Sequence, residues 1–560
     1  MGTDRRKFIK SIGLGTIMLS AHPLAVLPSS MVLSKESLPD IDKNDGPQVQ
    51  IGDNIAIAET EYGKVKGYIM RGIYAFLGIP YAAETSGKNR FMPPRKHEPW
   101  LGIRPAVFYG NTAPQDVYSR ASISYDMFVD HWNYDEISED CLCLNIWTQG
   151  IADGKKRPVI VWLHGGGFTR GNGIEQDGYN GENITRYGDV VFCSVNHRLG
   201  VFGFTDLSAF GEKYRDSGNA GLLDMAAAIQ WIHDNIANFG GDPENVTIIG
   251  QSGGGAKVCL LATMPEMRGL IHKGIALSGS TTGAIPAKHS RLLGEYIAKE
   301  AGLAATNIDK LQDMPWKEYM DLAYRASARM EKELGNSGMI RGNFGPVADG
   351  IHLPKEDFFV NSSSPDIPMI FCTTFHEWGV NRANSTQESI TAAQAIEQLS
   401  DPYGDRAGDI YKAYARNFPQ AKPIEILILV RSNRLSVIEA AMAKKKQKAP
   451  VYMAWFGFCP SLFDGRMRAF HCLDISFWFL NTDLMITHSG GGRRPRKLSY
   501  KMADALLSFV RTGNPNCPSL PQWPEYTVNN GETMILNDIC EVKNDPDKEG
   551  RTVLMNAVKR

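Results

Sequence analysis

The amino-acid sequence predicts an α/β fold with a mostly parallel central sheet, helices on both faces and large loop insertions. The valine-rich runs 158–163 (PVIVWL) and 189–195 (DVVFCSV) have the composition of strands that are covered on both faces. Between Leu222 and Phe239 apolar residues recur at helical spacing, and a glycine pair follows. A further β-branched run, 245–250, comes next. Strands and helices therefore alternate along the chain.

The third strand runs into Gly250-Gln-Ser252-Gly-Gly254, and residues 253–263 can continue as a helix. A Gly-x-Ser-x-Gly string alone is weak evidence in a chain with 55 glycines, where it could be an ordinary glycine-rich loop. Strand, glycine-flanked serine and helix in this order are the context of a nucleophile elbow, whose sharp turn leaves no room for larger side chains. The context predicts Ser252 as a nucleophile.

A serine nucleophile needs a base and an acid that orients the base. In the α/β-hydrolase arrangement the chain order is serine, acid, histidine. The apolar run 367–375 predicts a central strand, and Glu377 follows it directly. Glu377 is therefore the predicted acid, and Asp349, flanked by proline and glycine in a turn, is the rival. His376 is interpreted as a structural or rim residue.

Only His471 and His488 lie downstream of Glu377. His471 follows the predicted strand 451–458, at the edge of the sheet where a base is needed. His488 lies in a polar glycine-rich stretch and is predicted to be an exposed surface residue. The elimination favours His471 as the base.

The strand 158–163 continues into His164-Gly-Gly-Gly-Phe168. This segment resembles the HGGG loop of lipases and esterases, whose backbone N–H groups stabilise a tetrahedral oxyanion. Each such donor can lower the barrier by roughly 3 kcal/mol. A phosphate-binding loop is the alternative, but the lysine and Ser/Thr of a P-loop are missing.

Composition excludes several other functions. The formal net charge of -1, from 60 basic and 61 acidic residues, argues against nucleic acid as a partner. Nine scattered cysteines without zinc spacing predict mostly buried free thiols and no structural metal. The proposed chemistry requires no cofactor.

The first residues predict an export signal rather than a helix or strand of the folded domain. Paired arginines, Arg5 and Arg6, precede a weakly apolar stretch, as in a twin-arginine export signal; a disordered basic tail is the alternative. We predict a signal over 1–30, a linker over 31–48 and a single α/β-hydrolase domain over 49–560. The mature protein is expected to be periplasmic or secreted, without stable membrane insertion.

Several segments together resemble the type-B carboxylesterases, the family that includes cholinesterases and bacterial para-nitrobenzyl esterases. The matching segments cover the chain from about residue 50 onward: FLGIPYA at Phe76, EDCLCLNIW at Glu139, HGGGF at His164, VNHRLGVFGF at Val195, NAGLLDMAAAIQWI at Asn219, NFGGDPENVTIIGQSGG at Asn238, FGPVADG at Phe344 and RTGNPN at Arg511. The resemblance implies the α/β-hydrolase fold and hydrolysis of carboxylic esters.

The resemblance also assigns roles residue by residue. It implies a triad of Ser252, Glu377 and His471, and an oxyanion hole made by the backbone N–H groups of Gly166, Gly167 and Gly253. It further implies two buried structural ion pairs, Arg90 with Glu139 and Arg198 with Asp224.

The sequence departs from the family at four positions. Gln251 stands where many relatives have glutamate, and Trp378 follows the acid where relatives usually have glycine, which questions the packing behind Glu377. Cys141 lacks the partner with which relatives form a disulfide. Trp132 lies one residue from the register of the choline-binding aromatic of cholinesterases, so we interpret it as packing or gorge wall.

We therefore predict a serine esterase that acts on a small-molecule ester through an acyl-enzyme, with Phe168 and Gln251 among the residues that bind the substrate. One alternative is a dedicated esterase for a single natural ester, such as an acylated glycan, a phenolic ester or a lactone. Another is a non-catalytic binding protein of the same fold. Phe477 and Trp478 could line an apolar gorge or lie in the core.

Overall fold

A computed structural model describes residues 48–117, 136–335, 343–360, 363–378 and 385–558. The predicted export signal, nearly all of the predicted linker and Trp132 lie outside the described residues, so the interpretations placed on them stay predictions. None of the helices within the described residues has the length and apolar character needed to cross a bilayer.

The described residues form these strands: β1 Val49–Gln50, β2 Ile57–Thr60, β3 Gly63–Lys66, β4 Tyr68–Met70, β5 Ile73–Pro80, β6 Ile103–Pro105, β7 Cys143–Thr148, β8 Arg157–Leu163, β9 Val191–Val195, β10 Gly241–Gln251, β11 Lys273–Leu277, β12 Ile285–Pro286, β13 Val347–Ala348, β14 Met369–Thr374, β15 Val451–Phe456, β16 Glu532–Leu536 and β17 Glu541–Asn544.

The α-helices among them are α1 Glu182–Gly188, α2 Gly200–Gly203, α3 Ala220–Asn235, α4 Gly253–Leu261, α5 Ala287–Glu300, α6 Lys310–Asp313, α7 Trp316–Leu334, α8 Ala392–Tyr403, α9 Ala407–Asn417, α10 Pro423–Val430, α11 Arg434–Lys444, α12 Ile475–Trp478, α13 Ile486–Ser489, α14 Arg493–Thr512 and α15 Lys548–Val558.

Twelve strands form the main sheet in the order β1-β4-β5-β7-β9-β8-β10-β11-β14-β15-β16-β17. From β9 to β16 in this order all neighbours are parallel, whereas the pairs at both ends are antiparallel. The predicted strands are present, although β10 begins earlier than predicted because Gly241 already pairs with Arg157 across a bulge. The predicted α/β-hydrolase class, a mostly parallel sheet between helices, is confirmed.

Apolar residues cover both faces of the sheet. Along β8, Val159 and Val161 belong to one buried cluster with residues of α3, α4 and α7, whereas Ile160 and Trp162 belong to another with residues of α12 and α14. This alternation places helices on both faces, as the valine-rich runs predict. Because β8, β10, β14 and β15 run parallel in one sheet, their carboxyl ends meet at one edge.

Candidate active site

Ser252 lies in the turn between β10 and α4 with φ 57° and ψ −124°. Such a conformation is strained for serine, and a hydrogen bond of 2.8 Å from its N–H to the carbonyl oxygen of Leu277 holds it. A Cβ at Gly254 would overlap the carbonyl oxygen of Leu163, so only glycine fits there. The turn has the strand–serine–helix geometry that the sequence predicts.

Gly279 also contributes to the turn, although the sequence analysis assigns it no role. A Cβ on Gly279 would overlap the carbonyl oxygen of Ser252. The loop after β11 therefore packs directly against the backbone of the candidate nucleophile. The only sequence signal for this contact is a glycine placed two residues beyond a buried strand.

The glycine loop after β8 lies against the same turn. A Cβ on Gly165 would be 3.4 Å from the Cβ of Ser252, and one on Gly253 would be 2.6 Å from the backbone nitrogen of Gly167. Gly166 and Gly167 have φ values of 83° and 67°, which favour glycine. The three predicted oxyanion donors thus belong to two backbone segments in direct contact beside Ser252.

A buried lysine lies behind this loop. Lys257, on α4, donates from Nζ to the carbonyl oxygen of His164 at 2.9 Å and is fully buried. Burial lowers the pKa of Lys257 to about 7, although the charge of Glu175 opposes this shift. Its signal in the sequence is a lysine in an otherwise small and apolar helix, which the pattern analysis did not use.

Glu377, just beyond β14, and His471, in the segment between β15 and α12, form a buried pair. Nδ1 of His471 is 2.5 Å from Oε2 of Glu377, and the N–H of Thr374 donates to Oε1 of Glu377 at 2.9 Å. Although burial of the imidazole opposes protonation, interactions with Cys472 and Glu377 raise the pKa of His471 well above its usual range. The carboxylate at Nδ1 leaves Nε2 as the basic nitrogen.

Gln251, the residue directly before Ser252, contacts His471 through its side chain. Its Nε2 is 3.3 Å from Nε2 and 3.4 Å from Nδ1 of His471, and its Oε1 accepts from Sγ of Cys472 at 3.1 Å. Within the described residues the structure has no direct hydrogen bond between the Ser252 and His471 side chains. Such bonds often form only when a substrate is bound.

The remaining predicted site residues are placed as follows. Phe168 is buried and packs edge-on against Phe204, and its predicted contact with a substrate stays a prediction, as does that of Gln251. Phe477 and Trp478 are fully buried, which makes them core residues. Trp378 packs against His471 rather than behind Glu377.

The structure places the other acidic and histidine residues considered for the site in contact with residues other than Ser252. Asp349 accepts from the side chain of Asn219 at 2.9 Å and from backbone N–H groups of its own turn. His376 is buried just beyond β14, and its interpretation as a structural or rim residue stays a prediction. The prediction that His488 is exposed is wrong: it lies in α13, 3 % exposed, with its ring 5.9 Å from that of Phe470.

Both ion pairs implied by the resemblance are present and buried. Nη2 of Arg90 lies 2.6 Å from Oε2 of Glu139, and Nη2 of Arg198 lies 2.6 Å from Oδ1 of Asp224. All nine cysteines, Cys141 among them, are free thiols.

Asp474 is a further buried carboxyl near the pair, and the sequence analysis did not assign it a role. Burial and, next, the like charge of Glu377 raise the pKa of Asp474 to about 7. Nε1 of Trp478 donates to its Oδ2 at 3.3 Å. Near neutral pH the carboxylate of Glu377 is therefore not accompanied by a second full negative charge.

Comparison with known proteins places the chain in a family. A model of the Carboxylesterase family matches residues 54–552. The chain belongs to the carboxylesterase family. It is therefore a carboxylic ester hydrolase, and the resemblance inferred from its motifs is confirmed.

Three bacterial proteins are similar to it over most of their length. The para-nitrobenzyl esterase of Bacillus subtilis (strain 168) is 32% identical over 506 residues, which are 89% of this chain and 98% of the relative. The phenmedipham hydrolase of Pseudarthrobacter oxydans is 32% identical over 86% of this chain and 95% of its own. A solved esterase of Clostridium hathewayi, described as able to hydrolyse aliphatic aromatic polyesters, has a TM-score of 0.79 and 35% identity, with 90% of this chain and 99% of that chain covered.

Proposed function

We propose that this carboxylesterase cleaves small-molecule esters through an acyl-enzyme on Ser252, with His471 as the base and Glu377 as the acid. The observation that carries the proposal is the position of the buried Glu377–His471 pair against Gln251, the residue directly before the strained serine. Serine, acid and base thus follow β10, β14 and β15 in the chain order of the α/β-hydrolase arrangement, at the same edge of the parallel sheet.

In the proposed reaction the Ser252 Oγ attacks the ester carbonyl carbon while Nε2 of His471 takes the hydroxyl proton. The carbonyl oxygen becomes an oxyanion that accepts from the N–H groups of Gly166, Gly167 and Gly253. The bond to the alcohol oxygen then breaks, and the alcohol leaves with the proton from His471. Glu377 remains ionised and stabilises the imidazolium.

Water releases the acyl group by the reverse sequence. His471 takes a proton from the water, whose oxygen attacks the acyl carbon, and the bond to Ser252 Oγ breaks as His471 returns the proton to it. The products are a carboxylic acid and an alcohol, and the chain is restored. All proton transfers use residues of this chain.

The test compares hydrolysis of para-nitrophenyl acetate, butyrate and octanoate by the wild type and by Ser252→Ala. We expect kcat to fall roughly 10⁴- to 10⁶-fold in the variant, as when a triad member is removed from other serine hydrolases. Ser280→Ala, in the loop after β11, is the matched control and should retain turnover within a few-fold. Undiminished turnover by Ser252→Ala would contradict the assignment.

The same panel separates the alternatives. A dedicated esterase for one natural ester would label at Ser252 with a phosphonate ester but turn over all three substrates slowly. A non-catalytic binding protein would neither label nor turn over any of them.

A further inference from the structure

The indole of Trp378 is stacked on the ring of His471. The ring centroids are 4.5 Å apart and the planes are inclined by 28°. Trp378 is 38% exposed, whereas His471 is only 7% exposed. The indole therefore separates one face of the imidazole from solvent.

The amide of Gln251 occupies the other face. Its Nε2 is almost equally far, 3.3 and 3.4 Å, from both ring nitrogens of His471. An atom that lay in the ring plane at these distances would overlap the carbon between the two nitrogens, so the amide must lie over a face. Because Trp378 covers one face, the imidazole lies between the indole and the amide.

The indole is tied to the nucleophile turn. Nε1 of Trp378 donates to Oδ1 of Asn433 at 3.2 Å, and Nδ2 of Asn433 donates to the carbonyl oxygen of Ser278 at 2.9 Å. Ser278 precedes Gly279, which packs on the backbone of Ser252. Two hydrogen bonds and one backbone contact thus connect the stacked indole to the candidate nucleophile.

The other groups that face His471 fix only one edge of its ring. Glu377 accepts at Nδ1, and Cys472 and Asp474 lie close by on the same segment. One hydrogen bond at Nδ1 still permits the ring to tilt about that contact. Flat groups on both faces prevent this tilt, and an aromatic face also attracts the imidazolium that forms during the reaction.

We propose that Trp378 is a positioning residue that holds the His471 ring in the orientation set by Glu377 and excludes water and reagents from its outer face. The proposal rests on the proposed function for its effect on turnover. Its effect on access to the ring does not depend on any ester being hydrolysed.

The experiment measures both effects on Trp378→Gly and Trp378→Phe. Diethyl pyrocarbonate modifies only neutral imidazoles, and the pKa of His471 is raised. The rate at which the His471 peptide is modified is therefore followed by mass spectrometry over a series of alkaline pH values, where the rate for the neutral ring reports access. We expect modification to be at least about threefold faster in Trp378→Gly, and kcat to fall about 3- to 30-fold with KM within about twofold. Trp378→Phe keeps a stacked ring, so we expect its modification rate and its kcat to lie close to those of the wild type.

Trp100→Gly is the matched control, because Trp100 is a partly buried indole in the segment before β6, with its Nε1 donating to the carbonyl oxygen of Lys64 in β3. It should change neither the modification of His471 nor kcat. If Trp378→Gly does not fold, Asn433→Ala keeps the indole but removes its acceptor, and should move both quantities in the same direction by a smaller factor.

Two results would overturn the proposal. The first is an unchanged rate of His471 modification in Trp378→Gly and in Asn433→Ala, which would mean that the indole does not cover the ring. The second is faster modification with unchanged kcat, which would leave the indole as a cover without a positioning role. If the wild type hydrolyses no ester, the proposed function fails, while the modification rates still decide whether Trp378 covers the ring.

Discussion

The candidate site consists of two halves that are built differently. The backbone half comprises the loop 164–168, the turn 250–255 and Gly279. A Cβ on most of its glycines, for example Gly166, Gly254 or Gly279, would overlap main-chain atoms. The side-chain half comprises Glu377, His471 and the groups stacked on that histidine, Gln251 and Trp378. Excluded volume therefore positions the backbone atoms of the first half, whereas directional contacts position the side chains of the second half.

If directional contacts position the side-chain half, a substitution that keeps the shape of a side chain but removes its hydrogen-bond acceptor should lower kcat. Glu377→Gln keeps the volume but replaces the acceptor at Nδ1 of His471, so the base loses its tautomer. We expect kcat for para-nitrophenyl butyrate to fall about 10⁴-fold.

Glu388→Gln is the control for this change, because Glu388 is a carboxylate that binds Arg468 outside the site. It should leave kcat within a few-fold. A loss of less than about tenfold in Glu377→Gln would remove the carboxylate from the proposed triad.

The backbone half should fail when a single methyl group is added. In Gly254→Ala the new Cβ meets the carbonyl oxygens of Leu163 and His164, so the turn has to shift. Misplacement of a reacting atom by about 1 Å can cost about 10²-fold in rate, which is the loss of kcat we expect. Overpacking should also lower the free energy of unfolding by about 1–3 kcal/mol.

Gly408→Ala provides the matched control, because a Cβ there, on α9, would meet nothing within 4 Å. Its kcat should equal that of the wild type, with stability unchanged or up to about 1 kcal/mol higher. Equal effects of the two alanine variants would contradict the role of excluded volume at the turn.

Lys257 donates to the carbonyl oxygen of His164 in the backbone half. Its substitution should have a smaller effect, which is measured as a change in the free energy of unfolding. Its folded pKa of about 7 lies below the unfolded value of about 10.4, so between these values unfolding takes up a proton and stability rises with pH. Below pH 7 the full penalty of burying the charge is present, at about 1.4 kcal/mol for each pKa unit. Lys257→Met removes this penalty but also one hydrogen bond from a charged donor, about 1.5–3 kcal/mol.

We therefore expect Lys257→Met to exceed the wild type in free energy of unfolding by about 2 kcal/mol at pH 6 and to lose this advantage by pH 10. Denaturant unfolding at several pH values measures the difference. Lys412→Met controls for a general effect of replacing lysine by methionine on the surface. A difference independent of pH would show that Lys257 is charged throughout.

The two halves also differ in how far sequence predicts them. The backbone half leaves a direct record, since Gly254, Gly166 and Gly167 are required by local geometry and stand within a few residues of their strands. Glu377 and His471 are 94 residues apart and could be paired only by chain order and elimination.

Contacts between distant side chains explain what the sequence did not predict. Glycines after His488 suggest an exposed loop, yet the ring packs on Phe470 because the segment folds back as α13. The sequence questions the packing between Trp378 and Glu377, its neighbour in the chain, but the indole is stacked on His471. Gln251 and His471, 220 residues apart, touch for reasons that no local pattern records.

The strained backbone of Ser252 has a thermodynamic consequence. A non-glycine residue at φ 57° and ψ −124° costs on the order of 1–3 kcal/mol, which the surrounding packing has to offset. Selection for stability alone would favour glycine there. On the proposed function, this position is where the fold gives up stability for the reactivity of the Ser252 hydroxyl.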